Sequence, residues 1–397
     1  MKTPAPPMTT MIKAARGWIA LFLFALSLFV YLYNYRYRIW GAGGDTTSAE
    51  LLPLALERNH SLYFDGFEEM GTFWRVKGHL ISSYPIVPGF FNIPAYAIAR
   101  WRGVPLDSML SMISASIVTA TSVAFFFLAL SNLVARRSTA IADTVVYAFA
   151  PTAFSVAARG MWQHGPSLLF FTIGLWMLTR GDARSVALSG LFLGFAVFNR
   201  PVNVLIAAPL AVYVLWRHRR TFLPFCAAAA VPAALMAWYS IHYWGTVTTL
   251  GQYPSGRWFL GRAGPGLAGL LVSPARGLLV FTPLFVFSFI AMVATMLLYS
   301  KWYSWWGGNS FSYRLLAELV PLAIFLAVGW ERFYRDRRFL YPLLGIAAVA
   351  SLYIHFLGAY YAPCGPDDQK RLWSWTGGEL ARCSEKFTGR IRSHLPQ

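Results

Sequence analysis

The chain has 397 residues, of which 57% are hydrophobic, 17% aromatic and only 13% charged. Soluble domains run about 45–50% apolar and about 25% charged. Half of the usual charge is missing along the whole length, which excludes a soluble enzyme, a disordered chain and a disulfide-rich secreted domain, and leaves a polytopic membrane protein.

The elements follow in chain order. Lys2, Lys13 and Arg16 precede an apolar run over 18–35. The run is too long for a signal-peptide core and no small-residue cleavage site follows it, so it reads as a first transmembrane helix with a cytoplasmic N-terminus. Residues 36–83 are too charged to span and form a first outer loop. The apolar stretch 84–100 holds Pro85, Pro88 and Pro94. Each proline removes a backbone donor, and broken backbone at membrane depth needs cover from protein or a watery cavity. A surface-lying or re-entrant element is expected there. Further apolar runs cover 108–134, 139–157, 166–179, 185–198, 202–216, 222–241, 277–300, 315–330 and 339–357, for about ten spans in all. The expected fold is therefore all-α, with one transmembrane domain over 1–361 and a polar tail over 362–397.

Charge tests this topology. The 34 Lys and Arg against 16 Asp and Glu give +18, and the basic residues sit in short clusters between apolar runs. That is an orientation pattern, not a nucleic-acid face. With 84–100 not counted as a span, Arg136–Arg137, Arg180/Arg184 and Arg217/Arg219/Arg220 all fall in the cytoplasm. A single crossing at 277–300 then puts Arg332, Arg335, Arg337 and Arg338 outside, against the rule. Those 24 residues are too few for two helical crossings. Either orientation rules fail here or a helix and a cytoplasmic turn are missing.

Six of the acidic residues, Asp45, Glu50, Glu57, Asp65, Glu68 and Glu69, crowd into the first outer loop. For Glu57, Glu68 and Glu69 a solvated surface suffices. Asp45 follows Gly41-Ala42-Gly43-Gly44 and precedes an amphipathic stretch from Thr46 to Leu56. It could cap that helix; a carboxylate at the mouth of an apolar cleft is also what a general base needs. A second cluster runs from Lys301-Trp302-Tyr303-Ser304-Trp305-Trp306 through Gly307-Gly308 to Arg314. An aromatic belt at the headgroups is one reading. The alternative joins an Arg fork, which matches phosphate oxygens, to indole faces suited to a sugar ring. His164, Arg200, Arg257, Arg262 and Arg276 also fall on the outer side. The first two have bland readings as an interfacial histidine and a snorkelling arginine. Outward arginines that defy the charge rule are nonetheless what an anionic lipid phosphate requires. No nucleotide-binding, zinc-protease or serine-hydrolase motif occurs.

Of the three cysteines, Cys226 lies in an apolar segment, while Cys364 and Cys383 share the tail. If the Trp-rich loop is outside and two helices follow it, the tail lies in an oxidising compartment and its cysteines can pair.

Taken in order, Gly44-Asp45-Thr46-Thr47 through Leu51-Leu52-Pro53-Leu54-Ala55-Leu56 to Asp65, Tyr84-Pro85, Trp162-Gln163-His164-Gly165-Pro166, Arg200-Pro201, Ser273-Pro274-Ala275-Arg276-Gly277-Leu278-Leu279, Trp305-Trp306-Gly307-Gly308, Arg314 and Pro321 resemble the GT-C class of membrane glycosyltransferases. The likeness spans nearly the whole chain, each motif being short; Leu372-Trp373-Ser374-Trp375 looks like one bacterial branch. The resemblance implies an all-helical fold with an outward-facing cavity, a polyprenyl-phosphate-sugar donor, and a catalytic carboxylate soon after the first helix, at Asp45. Substrate contacts are then expected from Asp65, His164, Arg200, Arg262, Arg276, Trp305, Trp306 and Arg314. The expected reaction is a single, inverting displacement onto an acceptor hydroxyl of a lipid, glycan or protein in the cell membrane. A lipid phosphate leaves without a strong general acid, and cations stabilise it. No essential metal or other cofactor is expected, because the first loop lacks a tight carboxylate cluster. Two other readings compete. A transporter or lipid flippase would capture an anionic headgroup without chemistry, but the matching broken helices of inverted repeats are not evident. The class carries an extra hairpin before the Trp-rich loop, so the short 277–300 region also admits a catalytically inactive relative.

Overall fold

The apolar run near the start becomes α1 (Met8–Tyr33). The computed structural model describes residues 8–33, 44–70, 73–134, 136–246, 263–281, 293–302, 304–306, 310–321, 340–362, 364 and 369–394. After α1, a 3-10 turn at Gly44–Thr46 leads into α2 (Thr47–Asn59), which buries Leu51, Leu52 and Ala55. An antiparallel hairpin follows, β1 (Phe73–Val76) and β2 (His79–Ser82), pairing Phe73 with Ser82 and Val76 with His79. Its turn residues Lys77 and Gly78 have φ of 52° and 90°, the left-handed pair that suits a two-residue hairpin turn. This hairpin corrects the all-α expectation; the fold is mostly helical.

The proline-bearing stretch forms two short helices, α3 (Val87–Phe90) and α4 (Ile93–Trp101). The longer has 9 residues, about 14 Å of rise, less than half of a bilayer core. As its prolines predict, it does not span.

The central bundle is built from α5 (Ser108–Leu130), α6 (Arg137–Phe149), α7 (His164–Arg180), α8 (Ala183–Asn199), α9 (Val204–Arg217) and α10 (Phe222–Tyr239). Asp107 caps α5 by accepting from Met109 N, and Asp182 caps α8 by accepting from Ser185 N, both at 2.9 Å. α5 sits between α1 and α7, and buries the small residues Ser111, Ser114, Ala115, Ser116, Thr119, Ala120 and Ser122. Small residues let helices approach closely where no hydrophobic effect drives them together. The same logic joins α8 to α10: a Cβ at Gly190 would overlap the Phe225 carbonyl, and one at Gly194 would meet the Pro232 ring. Gly190 and Gly194 are one helical turn apart and form the seat for α10.

The second half continues with α11 (Ala263–Val272), α12 (Leu278–Phe281), α13 (Val293–Ser300), α14 (Leu340–Tyr361) and α15 (Glu379–His394). α11 packs on α13. The single crossing considered over 277–300 runs through residues 282–292, which lie outside the described residues. The arginine cluster 332–338 lies outside the described residues.

Among the described residues, four helices are long and apolar enough to cross a membrane: Ala15–Tyr33, Ser108–Leu130, Arg219–Trp244 and Tyr341–Tyr361. Ala183–Asn199 and Pro201–Arg217 are apolar but shorter.

Candidate active site

Asp45 lies in the 3-10 turn that opens α2, but Thr46 occupies the cap position and no side chain caps the helix. The Asp45 carboxylate is committed elsewhere. Its Oδ2 lies 2.5 Å from Nη1 of Arg314, and its Oδ1 accepts from the Tyr84 hydroxyl at 2.5 Å. The Arg314 guanidinium in turn lies over the Trp162 ring, 4.7 Å from its centroid, a cation–π contact. Burial pushes the Asp45 carboxyl up, but Arg314, then the Tyr84 hydroxyl, and then His164 more than offset this and hold it below the usual carboxylate range.

The local backbone that delivers Arg314 is strained. Ser312, fully buried, has φ of 65°, a region that L residues other than Asn, Asp or His seldom enter. A 3-10 turn at Arg314–Leu316 follows. Four residues after Arg314, Glu318 is buried and takes Nη1 of Arg200 at 2.5 Å on its Oε1, with Nδ1 of His164 at 2.7 Å from the same oxygen. Nη1 of Arg200 and Nδ1 of His164 are themselves 3.3 Å apart. His164 opens α7 and Arg200 follows α8. Their turns are locked together by Asn199, whose Nδ2 donates to the Gln163 carbonyl and the Ser167 hydroxyl, each at 2.7 Å. Asn203 donates to the same Ser167 hydroxyl at 2.8 Å.

Thus Asp45, His164, Arg200 and Arg314, scattered over 270 positions, meet through two linked Arg–carboxylate contacts. Asp65 is not part of this group. Its Oδ2 lies 2.6 Å from His79 Nδ1 and its Oδ1 accepts from Leu80 N at 2.7 Å, which pins the hairpin to the loop. Burial is the largest single influence and raises its carboxyl, but those two bonds, with the charges of His79 and Arg75, together outweigh it and keep it low. Arg276 is buried and held by Glu379 and the Ser310 carbonyl. Trp306 is buried with Ala275 and Leu372, and the Trp305 ring lies 6.1 Å from those of Trp306 and Trp373. These three residues form a second group, braced by the tail. Arg257 and Arg262 lie outside the described residues. The expected tail pairing is present, Cys364–Cys383 with Cα atoms 5.2 Å apart.

Sequence reasoning gave no role to Tyr84 and Trp162 and missed Glu318 altogether. The signal for Glu318 was available: an acidic residue inside the apolar run 315–330. Ionisable groups in such runs mark functional sites by default.

Two and three residues beyond Tyr84, Ile86 and Val87 line an apolar cavity of about 380 Å³. Phe90, Phe170, Phe195 and Trp238 complete much of its wall. Among the described residues no group of three or more His, Cys, Asp or Glu side chains is placed to hold a metal ion.

At the level of sequence, no protein-family model and no curated protein matches the chain. In three dimensions it is similar to the crystal structure of the Archaeoglobus fulgidus oligosaccharyltransferase in the apo form, with a TM-score of 0.49 and 12% identity over 95% of this chain and 60% of that one. The chain therefore spans about 60% of that protein's length. A likeness of this size assigns no chemistry.

Proposed function

We propose that this chain is a membrane glycosyltransferase that moves a sugar from a polyprenyl-phosphate donor to an acceptor hydroxyl at the outer face of the cell membrane. The observation that carries the reading is the Asp45 carboxylate 2.5 Å from Arg314, with His164 and Arg200 joined to Glu318 four residues further on. A proton acceptor and cations for a leaving phosphate are then in one place. The apolar cavity that begins two residues past Tyr84 suits the first isoprene units of a lipid carrier.

In the proposed reaction the acceptor oxygen attacks the anomeric carbon from the face opposite the phosphate. The bond from carbon to phosphate oxygen breaks, its electron pair leaves with the lipid phosphate, and the acceptor's proton passes to Asp45. One displacement inverts the anomeric centre. Arg314 and Arg200 stabilise the departing charge, the kind of preorganised contact that contributes most to such reactions. Trp305 and Trp306 remain the proposed wall on the sugar side, and Asp65 acts by holding the loop that presents Asp45. Arg276, already engaged by Glu379, supports the Trp-rich loop. The N-terminus lies in the cytoplasm, and the acceptor is a lipid, glycan or protein.

The test is Asp45→Asn in the purified protein, assayed with membrane-extracted polyprenyl-phosphate sugars. The substitution keeps size and hydrogen bonding to Tyr84. Turnover should fall by about 10²–10⁴-fold, the range for loss of a general base, and chelation of divalent metal should leave wild-type turnover intact. Near-normal turnover in Asp45→Asn would remove the assignment. Donor binding without any transfer by the wild type would favour a carrier of anionic lipid.

A further inference from the structure

A base that is clamped to a guanidinium is a poor base. Efficient proton acceptors have an affinity matched to the working pH, whereas Arg314 is the strongest of the contacts that hold Asp45 acidic. The same guanidinium is the cation best placed for a phosphate, being mostly buried, stacked on Trp162 and able to form a bidentate fork. Both roles fall on one side chain.

Resting on the reading of the site as a polyprenyl-phosphate transferase, we infer that Asp45 and the donor's phosphate compete for Arg314, so that the donor itself frees the base. In the resting protein Asp45 serves as the counterion of Arg314. The side chain is only 13% exposed, and a buried cation without a counterion is costly, so the pair also keeps the empty site stable. When a phosphate arrives it supplies the charge that Arg314 needs. Asp45 then keeps the Tyr84 hydroxyl and its neighbour His164, loses its largest acidifying partner, and becomes a stronger proton acceptor. Activation of the acceptor hydroxyl is thereby confined to the state in which a donor is present. Coupling of this kind is reciprocal: whatever weakens the hold of Asp45 on Arg314 must tighten the binding of phosphate.

The sign of one substitution tests this. Equilibrium binding of polyprenyl phosphate to the full-length protein in lipid nanodiscs is measured beside free polyprenol and inorganic phosphate. Asp45→Asn should bind polyprenyl phosphate roughly tenfold tighter than wild type, within the 5–150-fold that couplings between sites commonly reach. Free polyprenol should bind both alike. Arg314→Ala should abolish the preference for polyprenyl phosphate over polyprenol, and in Asp45→Asn/Arg314→Ala the tightening should vanish. Glu57→Gln, which removes an acidic charge of α2 from an exposed ion pair with Arg100 of α4, should change nothing. Unchanged or weaker binding by Asp45→Asn would overturn the competition while leaving the transferase reading in place. A wild type that does not distinguish polyprenyl phosphate from polyprenol would overturn both. Equal affinity for inorganic phosphate and the lipid would overturn the lipid as the ligand.

Discussion

Two buried carboxylates show how much the surroundings decide what an acidic residue does. Glu318 is paired with Arg200 and His164 at 2.5 and 2.7 Å. Removing its charge by Glu318→Gln leaves Arg200 buried with no anion, which costs about 3–5 kcal/mol. The variant should unfold at markedly lower temperature, and Arg200→Met in the same chain should restore part of the loss; no restoration would show that the pair is not the cause. Glu50 is the opposite case. Burial pushes its carboxyl up to about 7, opposed by a bond from the Thr46 hydroxyl and reinforced by nearby Asp107. Because the folded value lies above the ordinary 4.5, Glu50 costs nothing in acid, and its penalty grows as pH rises from there through about 7. Glu50→Gln should therefore leave stability unchanged near pH 4 and raise it above pH 7 by as much as about 3 kcal/mol. Thermal unfolding at the two pH values checks this. Asp45, Arg314 and His164 could be picked from sequence because each is a charge or a histidine beside glycine or aromatics. Their mutual contacts could not, since they depend on how four separate turns meet.

At the scale of elements, uninterrupted apolar runs were the legible part. The run 108–134 became α5 (Ser108–Leu130), 185–198 became α8 (Ala183–Asn199) and 222–241 became α10 (Phe222–Tyr239). Prolines correctly demoted 84–100. The hairpin was not anticipated, because its strands are four residues each and its Lys77-Gly78 turn is marked by a single glycine. The glycines of α8 carry a further expectation. Gly190→Ala should push the Phe225 carbonyl, and α10 with it, away from α8, an overpacking that costs roughly 1–3 kcal/mol. Accelerated proteolysis in α8 or α10, or a lowered unfolding temperature, would register it, while Gly389→Ala, in open space on α15, should be neutral.

For the whole molecule, the basic clusters predict an orientation that labelling can check. Lys77→Cys, in the exposed hairpin turn, should label from outside intact cells, and Arg219→Cys, at the start of the Arg219–Trp244 helix, only after permeabilisation. Outer labelling of Arg219→Cys would reverse the arrangement. The helical character and the membrane class were legible from composition alone, since a chain with 13% charge has little else to become. Of 277–300 only α12, α13 and Gly277 fall within the described residues, and 282–292 lie outside them.

The tail brace has a consequence for how the chain is made. Arg276 is held by Glu379, the Ser273 hydroxyl by the Leu372 carbonyl, and Trp306 by Leu372, with Cys383 tied back to Cys364. A ribosome delivers residues 273–306 well before 369–394, so the Trp-rich loop must wait, half assembled, until its partners have been synthesised. Its buried arginine meets its carboxylate only then. Biogenesis of this group therefore ends with the tail, and a nascent chain stalled or cut before Leu372 would leave Trp306 without its cover and the Arg276 guanidinium without Glu379.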